Sequence, residues 1–195
     1  MDMQTAQAEK PIFDEKLLRA SSEMDAFEGY ADTHARRIAS LADSIAIVLN
    51  IESHDRLFLQ QAALVHDIGE MQMAREYISA ARILTGEERI DLQRHPVIGE
   101  QAAAKLGLSR AVQLIVRWHH EWFNGSGYPD CLTGEEIPLA ARILRVADTY
   151  AALVSARPHR PAMSPDEARK YMIEWAGIEF DPTIIKAFLT PRTTG

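Results

Sequence analysis

The chain has 195 residues, of which 47% are hydrophobic and 25% charged, and a formal net charge of −7. This length suits one domain with a real core, and the acidic balance weighs against binding nucleic-acid polymers or anionic membranes. A lone cysteine, Cys131, excludes an internal disulfide.

No apolar run approaches the roughly 18 residues of a membrane span. The start, Met1-Asp2-Met3-Gln4, lacks the pattern of a secretory signal, so a cytoplasmic location is expected. Residues 1–25 read as a polar tail and a lead-in helix, weakly amphipathic through Ile12, Leu17 and Leu18. That helix could support a homodimer or a regulatory protein partner. Residues 26–195 read as one domain.

Residues 31–49 place Ile38, Leu41, Ala42, Ile45 and Leu49 on one helical stripe, with His34 a turn earlier on the same inward face. Leu59, Ala62, Ala63 and His66 predict a second stripe. His95 precedes a helix-starting proline, Pro96. Ser109 predicts an N-cap, after which Val112, Ile115, Val116 and His119 form a third stripe. Residues 124–136, carrying Gly125, Gly127, Pro129 and Gly134, predict a loop directly after His119 and His120, well placed to border a site. Pro138 predicts the first turn of a helix with Leu144, Ala147, Asp148 and Ala151 on one side. Ser164-Pro165-Asp166-Glu167 and Asp181-Pro182 predict two further helix starts. Long alternation of apolar and polar residues is absent, so the expected fold class is all-α.

The most informative feature is His66-Asp67, set in the apolar run Leu64-Val65-His66-Asp67-Ile68-Gly69-Glu70. Burying a carboxylate beside an imidazole is costly unless something pairs with both. His34, His95, His119, His120 and Asp148 supply the remaining ligands of a polynuclear metal centre. Each histidine alone reads as an ordinary core residue bonded to a carbonyl; the set together reads as metal. His54 looks exposed and stands outside it. Imidazoles and carboxylates without thiolates suit Fe, Mn, Zn, Co or Ni. Two such ions can clamp a phosphodiester and activate water, which favours phosphate-ester hydrolysis over redox chemistry. Di-iron oxygen chemistry usually draws on Glu-x-x-His pairs, and none is present.

The motifs His66-Asp67-Ile68-Gly69, His95-Pro96 with Gly99, His119-His120-Glu121, Asn124-Gly125-Ser126-Gly127-Tyr128-Pro129, Val146-Ala147-Asp148 and Arg157-Pro158-His159-Arg160 follow one another over about residues 30–190. In this the chain resembles the HD-GYP family of HD-domain metal-dependent phosphohydrolases. The resemblance implies an HD-domain-like helical bundle with an irregular Gly-Tyr-Pro loop. It also implies hydrolysis of cyclic di-GMP, or a related cyclic dinucleotide, to linear pGpG and/or GMP. By matching position, His34, His66, Asp67 and Asp148 would hold one divalent ion. Asp67 would bridge to a second, completed by His95, His119 and His120. Tyr128, Arg157 and Arg160 match substrate-contacting positions, and guanidinium groups suit phosphate.

The chain departs from the family at several positions. Glu70 stands where lysine is usual and Ala151 where aspartate is usual. Asn124 replaces a common aspartate, His159 a tyrosine, and Tyr30 a glutamate found in members with three metals, so two ions are expected. Asp67 and Glu70 are the acidic candidates for a catalytic role. Glu70, one helical turn beyond His66, admits two readings: an extra ligand, or a carboxylate that repels substrate phosphate. The second would leave a slow enzyme or a catalytically inactive cyclic-dinucleotide sensor.

Overall fold

Capping side chains delimit the helices of the computed structural model, which describes residues 13–29, 33–78, 80, 82–156 and 161–190. Among the described residues there are ten α-helices. They are α1 (Glu15–Phe27), α2 (His34–Val48), α3 (Ser53–Leu64), α4 (Ile68–Met73), α5 (Gly86–Leu92), α6 (His95–Lys105), α7 (Arg110–Trp118), α8 (Leu139–Leu153), α9 (Pro165–Glu174) and α10 (Pro182–Leu189). The described residues hold no strand, only isolated bridges at Asn124–Thr133 and Ala176–Phe180. The expected all-α class is therefore found.

Ser109 accepts from the Val112 N–H to open α7, and Ser164 forms a reciprocal capping box with Glu167 at α9. Asp181 accepts from the Thr183 N–H at 2.7 Å to start α10. Pro138 sits one residue outside α8, as its cap, rather than in the first turn. At α2 the cap comes from another helix. Thr33 makes no side-chain capping bond, and Asp25, near the end of α1, accepts from the Ala35 N–H at 3.0 Å. This contact docks α1 on α2 and sets the start of α2, where His34 lies buried.

The core gathers one stripe from each long helix: Leu17 and Met24 of α1, Ile38 and Ile45 of α2, Leu59 and Leu64 of α3, and Ile143 and Leu144 of α8. Phe180 and Ile184 close it from the C-terminal side. The lead-in helix α1 runs without a break across residues 25 and 26. No helix among the described residues is long and apolar enough to cross a membrane.

The expected stripe through His66 is corrected. Helix α3 stops at Leu64, and Val65 adopts φ −137°, so His66 and Asp67 lie on the turn between α3 and α4. Adjacent residues of a continuous helix would point about 100° apart, whereas a turn lets both side chains face one centre. Close packing of α4 on α6 fixes that turn. A Cβ built on Gly69 would lie 2.0 Å from the His95 carbonyl oxygen and 2.7 Å from the Gly99 nitrogen. Both obstacles are backbone and cannot swing aside.

Gly69→Ala is therefore expected to destabilise the protein by about 1–3 kcal/mol through overpacking, read as a lower urea midpoint. An unchanged midpoint would show that the two helices have room to separate.

Candidate metal centre

Three histidines meet the Asp67 carboxylate, and each lies just beyond the end of a helix. His66 follows α3, His95 follows α5, and His119 caps the C-terminus of α7. Last-turn carbonyls have no partner within their own helix, and each imidazole uses one of them through Nδ1. His66 reaches Ala63 O at 3.0 Å, His95 reaches Leu92 O at 2.8 Å, and His119 reaches Val116 O at 2.6 Å. A carbonyl only accepts, so Nδ1 carries the proton and a neutral ring presents its Nε2 lone pair to the interior.

Asp67 lies between the rings. Its Oδ1 is 3.1 Å from His95 Nε2 and 3.3 Å from His119 Nε2, while Oδ2 is 3.3 Å from His66 Nε2. Asp148, on the inward face of α8, brings Oδ1 to 3.7 Å from His66 Nε2. Asp67 Oδ1, His95 Nε2 and His119 Nε2 are all buried, and none of them makes a hydrogen bond. Three electron-rich atoms facing one another without hydrogen bonds are a costly arrangement for a protein alone. A divalent cation among them removes that cost, so the donor set fits a metal ion. Asp67, His95, His119 and His120 offer one ligand atom each, all within 4.8 Å of one another. His34 is buried at the head of α2, outside that group of four.

Electrostatics show what a proton does in the same place. Burial pushes His66 down, but the Asp67 and Asp148 carboxylates outweigh it and hold the imidazolium well above its ordinary range. For His95, too, burial is outweighed by Asp67, and its value rises. Burial alone would raise Asp67; the surrounding imidazoles instead hold it well below the carboxylate range. His119 is lowered by burial, with the neighbouring histidines reinforcing it.

The loop that follows carries Tyr128 back over the cluster. Its ring stacks on His120, with centroids 4.9 Å apart and planes at 25°, and its N–H donates to the His120 carbonyl at 3.2 Å. Burial raises the Tyr128 phenol, so it stays protonated and able to donate. Glu121 anchors the loop: its buried carboxylate accepts from the main-chain N–H of Asp130 at 2.7 Å and of Leu132 at 3.1 Å. Asp130 in turn accepts from Arg117 and from Trp118 Nε1 at 2.7 Å. Gly127 crosses so close to the chain that a Cβ would lie 2.2 Å from the Trp122 nitrogen.

Glu70, on α4, is near enough for its charge to add to the rise of both His95 and Tyr128. Ala151 lies buried on the same helix as Asp148. Arg157 and Arg160, with His159 and Tyr30, fall outside the described residues.

The sequence reading missed Arg145. It lies on α8 one turn before Asp148, a spacing that brings side chains to the same face. Its guanidinium reaches His120 Nδ1 at 2.7 Å and Glu179 Oε1 at 2.6 Å. Glu179, also missed, is buried in the connection between α9 and α10.

With metal stripped away, the raised His66 contributes stability that is full below its unfolded value and is lost as pH rises through the raised one. The lowered Asp67 contributes stability present above its unfolded value and lost as pH falls through the lowered one. A metal ion must displace the proton on His66. Adding Mn2+ to stripped protein near neutral pH is thus expected to release protons, with affinity rising as pH rises. Metal uptake without proton release, followed with an indicator dye, would contradict this electrostatic picture.

Comparison with known proteins agrees with the geometry. The HD-domain family matches residues 21–184. The chain is 35% identical over 181 residues to the cyclic di-GMP phosphodiesterase response regulator RpfG of Xanthomonas campestris, covering 91% of this chain and 48% of that protein. It is 35% identical over 191 residues to the 3'3'-cGAMP-specific phosphodiesterase 3 of Vibrio cholerae, covering 96% of this chain and 42% of that protein. The chain thus spans about half or less of the length of these curated relatives. Among solved structures, a cyclic GMP-AMP-specific phosphodiesterase of V. cholerae superposes with a TM-score of 0.71 at 21% identity, over 88% of this chain and 46% of the other, and shares the fold. With the His-Asp pair on its turn and the Gly-Tyr-Pro loop closing over it, this chain belongs to the HD-domain family of metal-dependent phosphohydrolases, in its HD-GYP branch.

Proposed function

We propose that the chain is a metal-dependent phosphodiesterase that opens a cyclic dinucleotide, cyclic di-GMP first, to linear pGpG and/or GMP. The observation that carries this reading is the Asp67 carboxylate shared between His66 on one oxygen and His95 and His119 on the other. One carboxylate serving two sets of imidazoles is the arrangement a pair of divalent ions needs. Similarity to phosphodiesterases of cyclic di-GMP and of cyclic GMP-AMP supports the substrate class.

His34, His66, Asp67 and Asp148 would hold one ion, and Asp67, His95, His119 and His120 the other, with Fe, Mn, Zn, Co and Ni all compatible with these donors. Such ions, when bound, supply Lewis acidity at the phosphate and a water acidified to near neutrality. The chain's own residues do the rest. Tyr128 covers the His120 side of the cluster and offers a phenol proton and a flat face to the substrate. Glu121 holds that loop in place through the main chain. Arg157 and Arg160 would bind phosphate or guanine edges.

A second reading rests on Glu70. A carboxylate that already bears on His95 and Tyr128 adds negative charge on the side a phosphate approaches. This favours a sensor that binds the nucleotide and turns it over slowly or not at all.

One assay separates the two. Mn2+-loaded protein and its Glu70→Lys variant are incubated with cyclic di-GMP and with cyclic GMP-AMP, and products are resolved by chromatography beside calorimetric binding. The enzyme reading predicts linear dinucleotide from the wild type and a severalfold faster rate from the variant. Tight binding with no product from either protein supports the sensor. Neither binding nor turnover of either nucleotide overturns both readings.

A further inference from the structure

His120 differs from its three neighbours in how its ring is held. His66, His95 and His119 each direct Nδ1 to a main-chain carbonyl, leaving Nε2 free to ligate. At His120 the partner of Nδ1 is the Arg145 guanidinium, at 2.7 Å. A guanidinium has donors only, so Nδ1 must accept, and the one proton of a neutral ring lies on Nε2. In that state His120 has no lone pair left for an ion. Nδ1 is taken by Arg145, and Nε2 holds the proton.

Arg145 is held from behind. Its second terminal nitrogen donates to the buried Glu179 carboxylate at 2.6 Å, and Thr149 approaches the same oxygen at 3.4 Å. Arg145 Nη1 is also 4.0 Å from Asp148 Oδ2. Its Nε is buried and makes no hydrogen bond, so the contact to His120 is held at some cost to the guanidinium. Glu179 would keep its charge paired if that contact were given up.

We propose that Arg145 gates His120, so that the ion to which His120 belongs gains this ligand only when the guanidinium releases Nδ1. The inference rests on the two-ion reading above. An acceptor on the far nitrogen of a ligating histidine raises its basicity, and losing such a partner typically costs about 10–100-fold in metal affinity. A guanidinium in the same place acts with the opposite sign. Arg145 is therefore a positioning residue that weakens one of the two metal sites, and with Glu179 it links metal loading to the segment that carries the loop. The main chain of that segment accepts from the Phe123 and Asn124 N–H groups at 3.1 and 3.0 Å.

The test is calorimetric titration of metal-stripped full chain with Mn2+ alone. Wild type is compared with Arg145→Met and with Arg145→Met/Glu179→Gln, the second removing both charges so that none is left buried and unpaired. The weaker of the two dissociation constants is expected to tighten by about tenfold in both variants, the low end of the range for such partners, and by more than the tighter one, which feels Arg145 only through Asp148 at 4.0 Å. In Zn2+-loaded wild type, nitrogen NMR is expected to show the His120 proton on Nδ1, released from Arg145. Two unchanged constants, or a weaker second site in the double variant, would overturn the gate while leaving the metal centre standing. A wild type that takes up no divalent ion would remove the metal reading and the gate with it.

Discussion

Everything in this molecule that bears on chemistry depends on one carboxylate placed among imidazole nitrogens. Asp67 brings its two oxygens within 3.1–3.3 Å of His66, His95 and His119. The protein makes those nitrogens lone-pair donors by tying off the opposite side of each ring. It does so with helix-end carbonyls of α3, α5 and α7, which have no partner within their helices. Helix termination and ligand preparation are thus the same structural event, performed three times. The product is a concentration of negative potential and lone pairs that protons satisfy only partly and a divalent cation satisfies well.

The scaffold around this centre is built from close approaches and carboxylate anchors. Gly69 lets α4 lie against the His95 backbone, bringing the His-Asp turn up to the head of α6. Asp25 caps α2 from another helix and so places His34. Glu121 gathers the main-chain N–H groups of the Tyr128 loop, and Arg117 braces the same loop through Asp130. None of these groups needs to touch a substrate; they hold those that would. Charge is divided across the site. Glu70 supplies an acid on the α4 side, and Arg145 a cation on the α8 side, paired with Glu179.

Much of this was legible from local pattern. The inward stripes of α2, α7 and α8, the serine caps at 109 and 164, the aspartate cap at 181 and the irregular stretch 124–136 follow from periodicity and capping chemistry alone. The apolar setting of His66-Asp67 announced a buried charged pair. The turn after Leu64 was not legible, because Leu59, Ala62, Ala63 and His66 keep helical spacing past the point where α3 ends. The short helices α4 and α5 span too few turns for periodicity to show them, although Thr85 and Glu88 form a capping box at the start of α5. Arg145 and Glu179 could not be paired from sequence, since 34 positions separate them and only the return of the C-terminal segment joins them. Glu121 stood in a recognised motif, but its grip on the loop shows only in three dimensions.

The most direct measurement is the metal content of the purified chain, by elemental analysis, beside that of Asp67→Asn. If a single side chain joins two ion sites, wild type carries two equivalents and the variant loses both while remaining helical by circular dichroism. A folded variant that keeps its full complement would show that Asp67 is not the centre of the cluster, and the account built on it would fail.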